Sequence, residues 1–238
     1  MSHCGLIIFD GDDTLWKTQE LYDAAKRHFA TLLRAQGFFE PNIIGILDEI
    51  DARQVKSKGF VIDRFTDSMI KTYVFLCELE QRQSNQEINV AIKSICTPLL
   101  GSHQLYKDAI NVLQSLSSHY SLVLATKGDV LAQKAKIDQL GVRQLFKQIY
   151  ILAQKTELEY SQIIEDQRIR KDNVWVVGNS VKSDINPALR LGLRAILIPR
   201  GSWLYEEDVL LCGDVARVDS LTEAAHIIFT RDLKRPTL

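Results

Sequence analysis

The chain has 238 residues, which suits one core domain with a smaller appendage better than two full domains. Hydrophobic residues make up 46% and charged residues 25%, an ordinary globular balance. The formal net charge of −1 gives no electrostatic footprint for nucleic acid or an anionic membrane.

The first apolar run, LIIF (6–9), is too short for a signal peptide, and no stretch approaches a membrane span. A soluble, cytoplasmic protein is expected. Cys4, Cys77, Cys96 and Cys212 are scattered, which argues against a zinc or redox motif and for reduced, mostly buried thiols. LIIF reads as a buried strand, and Asp10, Asp12, Asp13 and Thr14 follow it at once.

Helical periodicity then takes over. LYDAAKRHFATLL puts Leu21, Ala24, Ala25, His28, Phe29 and Leu32 on one stripe. NIIGILDEI, FTDSMIKTYVFLCEL and EINVAIKSI follow with similar periods, the last behind Ser84 and Glu87 in capping-box spacing. Up to Gly101 no strand is convincing, so residues 16–102 are expected to be an all-helical insertion in a core of residues 1–15 and 103–238. Arg53, Lys56, Lys58 and Arg64 in that insertion read as a solvated helix face. None of the five histidines has ligand-like spacing. Trp16 marks the expected hinge, and Trp203 reads as a packing residue.

YKDAINVLQSLSSHY returns as a helix leading into LVLA (122–125). IYIL (149–152), VWVV (174–177) and AILI (195–198) are further buried strands, with amphipathic segments between them. DVLAQKAKIDQLGV is expected to face the core with Leu131, Ala135 and Leu140; SLTEAAHIIF opens with Ser220 and Glu223 in capping-box spacing. Alternating strands and helices predict an α/β fold, a doubly wound parallel sheet with right-handed crossovers.

Ligands of open parallel sheets bind beyond the carboxyl ends of the strands. There the chain places Asp10, Asp12 and Asp13, then Thr126, Lys127, Gly128 and Asp129, then Lys155, then Asn179, Ser180 and Asp184. Clustered carboxylates repel and raise each other's pKa values. A hard divalent cation relieves that, and Mg²⁺ suits one or two carboxylates with waters and a phosphate oxygen.

The order D10-G-D12-D-T14-L15, a strand-end threonine, a lysine, then G-N-S-x-x-S-D184 resembles the haloacid dehalogenase superfamily across the whole core. The resemblance implies a Rossmann-like core with a helical cap, and the sheet order AILI, VWVV, LIIF, LVLA, IYIL. It implies Asp10 as nucleophile forming an aspartyl-phosphate, and Asp12 as general acid/base whose backbone carbonyl holds the metal. Thr126 would bind the phosphoryl group, with Lys127 and Gly128 contributing. Lys155 would orient Asp10. Mg²⁺ would be held by Asp10, Asp12 and Asp184, with Asn179 beside them. Asn179 departs from the aspartate common there, and Asp13 reads as a turn residue. The superfamily's dehalogenases lack the second aspartate, so Asp12 favours phosphate esters. The expected activity is hydrolysis of a small phosphorylated metabolite, with a phosphomutase or a non-catalytic metabolite-binding module as alternatives.

Overall fold

A computed structural model describes residues 5–61, 63–200, 206 and 208–233. The chain starts with β1 (Gly5–Phe9) and β2 (Trp16–Lys17). Four helices follow: α1 (Gln19–Ala35), α2 (Ile43–Lys58), α3 (Arg64–Leu79) and α4 (Gln86–Cys96). Then come β3 (Gln104–Leu105), α5 (Ala109–Ser117), β4 (Tyr120–Lys127), α6 (Val130–Leu140) and β5 (Gln148–Leu152). The chain continues through α7 (Glu157–Gln167), β6 (Val174–Gly178), α8 (Asn186–Arg190), β7 (Arg194–Leu197), β8 (Val215–Arg217) and α9 (Leu221–Leu233).

Six strands form one parallel sheet in the order β5-β4-β1-β6-β7-β8. Both faces are covered, which is why these strands read as continuous apolar runs rather than alternating ones. Ile7, Phe9, Leu122, Leu124, Trp175 and Val177 face one layer with Leu113, Leu116 and Ile228. Their neighbours Leu6, Ile8, Val123, Ala125 and Val176 face the other, with Tyr160, Ile163 and Ala188. The order is the one the resemblance implied, extended by β8, whose three residues Val215–Arg217 are too few to show a pattern.

Helices α1–α4 lie between β1 and β4 in sequence and share a separate core that includes Phe29, Leu33, Leu47, Met69, Tyr73, Leu76 and Ile92. The expected purely helical character of 16–102 needs correction. Trp16–Lys17 is a strand, paired antiparallel with Gln104–Leu105 (Trp16 with Leu105, Lys17 with Gln104). Two-residue strands are below what periodicity can detect. The cap of α4 is Asn85, whose side chain accepts from the Glu87 amide at 2.8 Å, rather than Ser84.

Of the expected face of α6, Leu140 packs half-buried against the core, but the other two residues do not. Leu131 is 74% exposed and Ala135 is exposed, while Gln133 (5%), Lys136 (8%) and Ile137 are buried. On α1, His28 is exposed although its stripe neighbours Ala25 and Phe29 are buried. Arg53, Lys56 and Lys58 are exposed as expected, but Arg64 is buried and paired with Asp51. Cys77 and Cys96 are buried free thiols and Cys212 an exposed one; Cys4, His3 and Trp203 lie outside the described residues. No helix among the described residues is long and apolar enough to cross a membrane.

Candidate active site

The backbone amide of Asp10 donates to the Val177 carbonyl at 2.9 Å, so Asp10 is fixed at the sheet rim just past β1. Its Oδ1 accepts from Lys155 Nζ at 2.5 Å and its Oδ2 from the Thr14 hydroxyl at 2.8 Å. The same ammonium forms an ion pair with Asp184 Oδ1. Asp184 is held in a single wide π-helical turn, Val181–Ile185, after β6. Its Oδ2 accepts from the Ser180 amide at 2.9 Å and its Oδ1 from the Tyr160 hydroxyl at 3.3 Å. A Cβ on Gly178 would sit 2.3 Å from the Asp184 carboxyl carbon, so glycine is what lets that carboxylate fold back against β6. Three loops thus deliver two carboxylates to one buried cation.

Burial pushes the Asp10 carboxyl up; Lys155 opposes this, but Asp184 and Asp12 add to it, and the result lies above the usual carboxylate range. For Lys155, burial works against the charge, yet Asp10 and Asp184 outweigh it and hold the ammonium protonated. A buried cation between two carboxylates is the arrangement in which such a charge is tolerated.

Asp12 points to a different set of partners. Its Oδ1 accepts from Trp16 Nε1 at 2.9 Å, from the Thr18 hydroxyl and from the Lys136 ammonium; its Oδ2 accepts from Gln133 Nε2 at 2.7 Å. Burial raises its carboxyl, but the Lys136 charge and the hydrogen bonds from Lys136, Thr18 and Gln133 win and hold it well below the ordinary range. Asp13 adopts φ 60 and accepts from the amides of Thr18 (2.9 Å) and Gln19 (2.8 Å), so it is a turn residue that starts α1. Burial pushes its carboxyl up to about 6 despite those two amides.

Thr126 is fully buried near the end of β4, and its hydroxyl has no hydrogen-bond partner among the described residues. Lys127 turns its ammonium to the Ser183 hydroxyl (2.9 Å), to Glu206 and over the Phe60 ring (4.9 Å). The Gly128 amide donates to the Leu152 carbonyl at 3.0 Å. That amide is therefore engaged with the neighbouring strand β5. Asn179 lies near the cluster, its Oδ1 at 3.5 Å from the Thr14 hydroxyl. Sequence reasoning missed Lys136 and Gln133 because they lie inside a helix, and Thr18 because the strand it follows is only two residues long.

Asp10, Asp12, Lys127, Lys155, Asn179 and Asp184 all line one cavity of about 1130 Å³, while Thr126 lies buried behind its lining. Tyr22, Phe65 and Leu99 of the helical insertion form part of its opposite wall. Among the described residues no three His, Cys, Asp or Glu side chains form a group able to hold an ion by themselves. The available donors are hard oxygens, two carboxylates beside a loop amide. Such a set fits Mg²⁺, which takes one or two carboxylates and completes its shell with waters and substrate.

A family model of haloacid dehalogenase-like hydrolases matches residues 4–192. The chain belongs to this family. It is therefore a hydrolase with the α/β core of the haloacid dehalogenase-like hydrolases. It is 24% identical over 211 residues to a glyceraldehyde 3-phosphate phosphatase from Methanocaldococcus jannaschii, covering 85% of this chain and 88% of that protein. A haloacid dehalogenase-like family hydrolase from Xanthomonas campestris superposes with a TM-score of 0.78 at 25% identity, over 97% of this chain and 92% of that one. The magnesium-bound HAD-hydrolase YfnB from Bacillus subtilis gives 0.65 at 17% identity, over 96% and 100%.

Proposed function

We propose that this hydrolase is a Mg²⁺-dependent phosphatase of a small phosphate monoester, working through an aspartyl-phosphate on Asp10. The observation that carries the reading is the shared ammonium: Lys155 sits between Asp10 and Asp184, while Asp12 stands apart with its own donors. This division supports one carboxylate as nucleophile and the other as proton carrier. The phosphatase name of the Methanocaldococcus jannaschii relative supports the same substrate class.

In the first step a carboxylate oxygen of Asp10 bonds to phosphorus as the bond to the leaving oxygen breaks. The phosphate dianion arriving beside Asp12 raises its pKa against the pull of Lys136, so Asp12 takes up a proton from solvent, gives it to that oxygen, and the alcohol departs. In the second step Asp12 takes a proton from water as the water oxygen bonds to phosphorus. The Asp10–phosphorus bond breaks, releasing phosphate and restoring Asp10. The Thr126 hydroxyl, which has no partner among the described residues, would bind a phosphoryl oxygen, and Lys155 orients Asp10 and opposes its protonation. Mg²⁺ would be held by Asp10 and Asp184, with the Asp12 carbonyl and Asn179 beside them, and would offset the charge of the phosphate. The helical insertion forms a wall of the cavity and would serve as a cap that excludes water and selects substrate.

Asp10→Asn tests this. Steady-state hydrolysis of a sugar-phosphate, nucleotide and phosphoglycolate panel should fall by at least about 10³-fold, with the thermal midpoint retained. Chelation of Mg²⁺ should silence the wild type and re-addition restore it. Turnover that survives Asp10→Asn overturns the proposal.

A further inference from the structure

The buried face of α6 carries Gln133 and Lys136 where an amphipathic helix would carry apolar side chains. Burying a lysine costs several kcal/mol unless it is paired. Lys136 is paired, and its partner is Asp12. Gln133 and Lys136 are three residues apart, so they lie on one face of the helix and reach the two oxygens of the same carboxylate. From the other side, Trp16 and Thr18 donate to Oδ1. Asp12 is thus gripped between α6 and the segment around β2.

The route to Gln133 is kept open by Gly128, which has φ +148 and no side chain; a Cβ there would lie 2.9 Å from Gln133 Nε2. The amide of Gln133 also donates to the Lys127 carbonyl at 3.1 Å, linking the loop after Thr126 to Asp12. Asp129 starts α6 by accepting from the amides of Leu131 (2.9 Å) and Ala132 (3.0 Å). Fold stability alone does not call for this design, since a carboxylate already served by Trp16 and Thr18 needs no buried lysine.

We propose that Lys136, assisted by Gln133, is a positioning residue for this hydrolase: it pins the Asp12 carboxylate in the orientation from which it exchanges protons with the leaving group and with water. This rests on the phosphatase reading above. Lys136 itself acts through Asp12 and not on the phosphate, which is served by the cluster around Lys155.

Leaving-group dependence separates this role from a structural one. kcat/KM reports phosphoryl transfer to Asp10, the first irreversible step. p-Nitrophenolate leaves without a proton, whereas an alkoxide needs one from Asp12. Lys136→Met and Lys136→Gln, measured in the full chain with Mg²⁺, should lower kcat/KM on the best alkyl phosphate at least about tenfold more than on p-nitrophenyl phosphate, a fraction of the 10²–10⁴ that general acid catalysis supplies. The ratio of the two rates does not depend on the folded fraction of either variant. An equal loss on both substrates, or no loss on either, overturns the inference while leaving the phosphatase reading standing. A wild type that hydrolyses neither ester sinks the reading on which it rests.

Discussion

Thr126 poses a sharp question at the scale of one residue. Its hydroxyl is buried without a partner among the described residues, and such a group costs desolvation energy that folding does not recover. The cost makes sense if a ligand oxygen completes the bond. Thr126→Val keeps the shape and removes the hydroxyl. The variant should lose about 10- to 100-fold in kcat/KM on any phosphate monoester, in line with the loss of one preorganised donor. Its stability in urea should stay within about 1 kcal/mol of wild type or rise. A Val variant with unchanged kinetics and clearly lower stability would make the hydroxyl a structural group with a partner yet to be found. Thr126 could be picked from sequence because it ends a strand, as could Asp10, Lys155 and Asp184 from their places just beyond strands. The Gly128 amide could not be judged that way, because its partner is the Leu152 carbonyl of the neighbouring strand.

Elements carry what the residue pattern hides. α6 reads as an ordinary amphipathic helix, and its apolar stripe of Leu131 and Ala135 faces outward. Periodicity finds the apolar face and assumes it is the buried one; here Ile137 and Leu140 pack on the core while Gln133 and Lys136 turn to the Asp12 carboxylate. The same junction includes His103, just before β3, whose carbonyl accepts from Gln139 of α6 at 3.2 Å. His103 is 3% exposed, and burial first, then the Lys136 charge, lower its pKa from 6.5 to about 4, against a smaller opposing pull from Asp12. The unfolded chain therefore takes up this proton at a higher pH than the native one. The contribution to stability is complete above pH 6.5, shrinks as the pH falls through the window, and is gone below 4, a loss of up to about 3 kcal/mol. His103→Gln should flatten the decline in urea midpoint between pH 7 and pH 4.5. If variant and wild type fall in parallel, His103 is not the group that titrates.

Across the whole molecule, the sequence was legible wherever burial on both faces made a strand continuously apolar. β1, β4, β6 and β7 are of that kind, while β5 at the sheet edge is apolar but only half-buried, and the order of all five matches the resemblance. β8 and the β2–β3 pair were not legible, because two or three residues carry no period. Yet β2–β3 is the point where the chain enters and leaves the helical insertion, and it holds Trp16 against Asp12. The molecule is built so that one cavity has the sheet rim as its floor and the insertion as a wall. The central claim is that a phosphoryl group passes through Asp10 on that floor. Asp12→Ala should still let Asp10 attack an aryl phosphate but should slow the water step, so the acyl-phosphate should accumulate. Acid-quenched Asp12→Ala protein, mixed with Mg²⁺ and p-nitrophenyl phosphate, should gain the mass of one phosphoryl group on the peptide that contains Asp10. Borohydride should convert that aspartate to homoserine. Phosphate on any other residue, or steady turnover of the wild type with Asp10 never modified, would contradict the account.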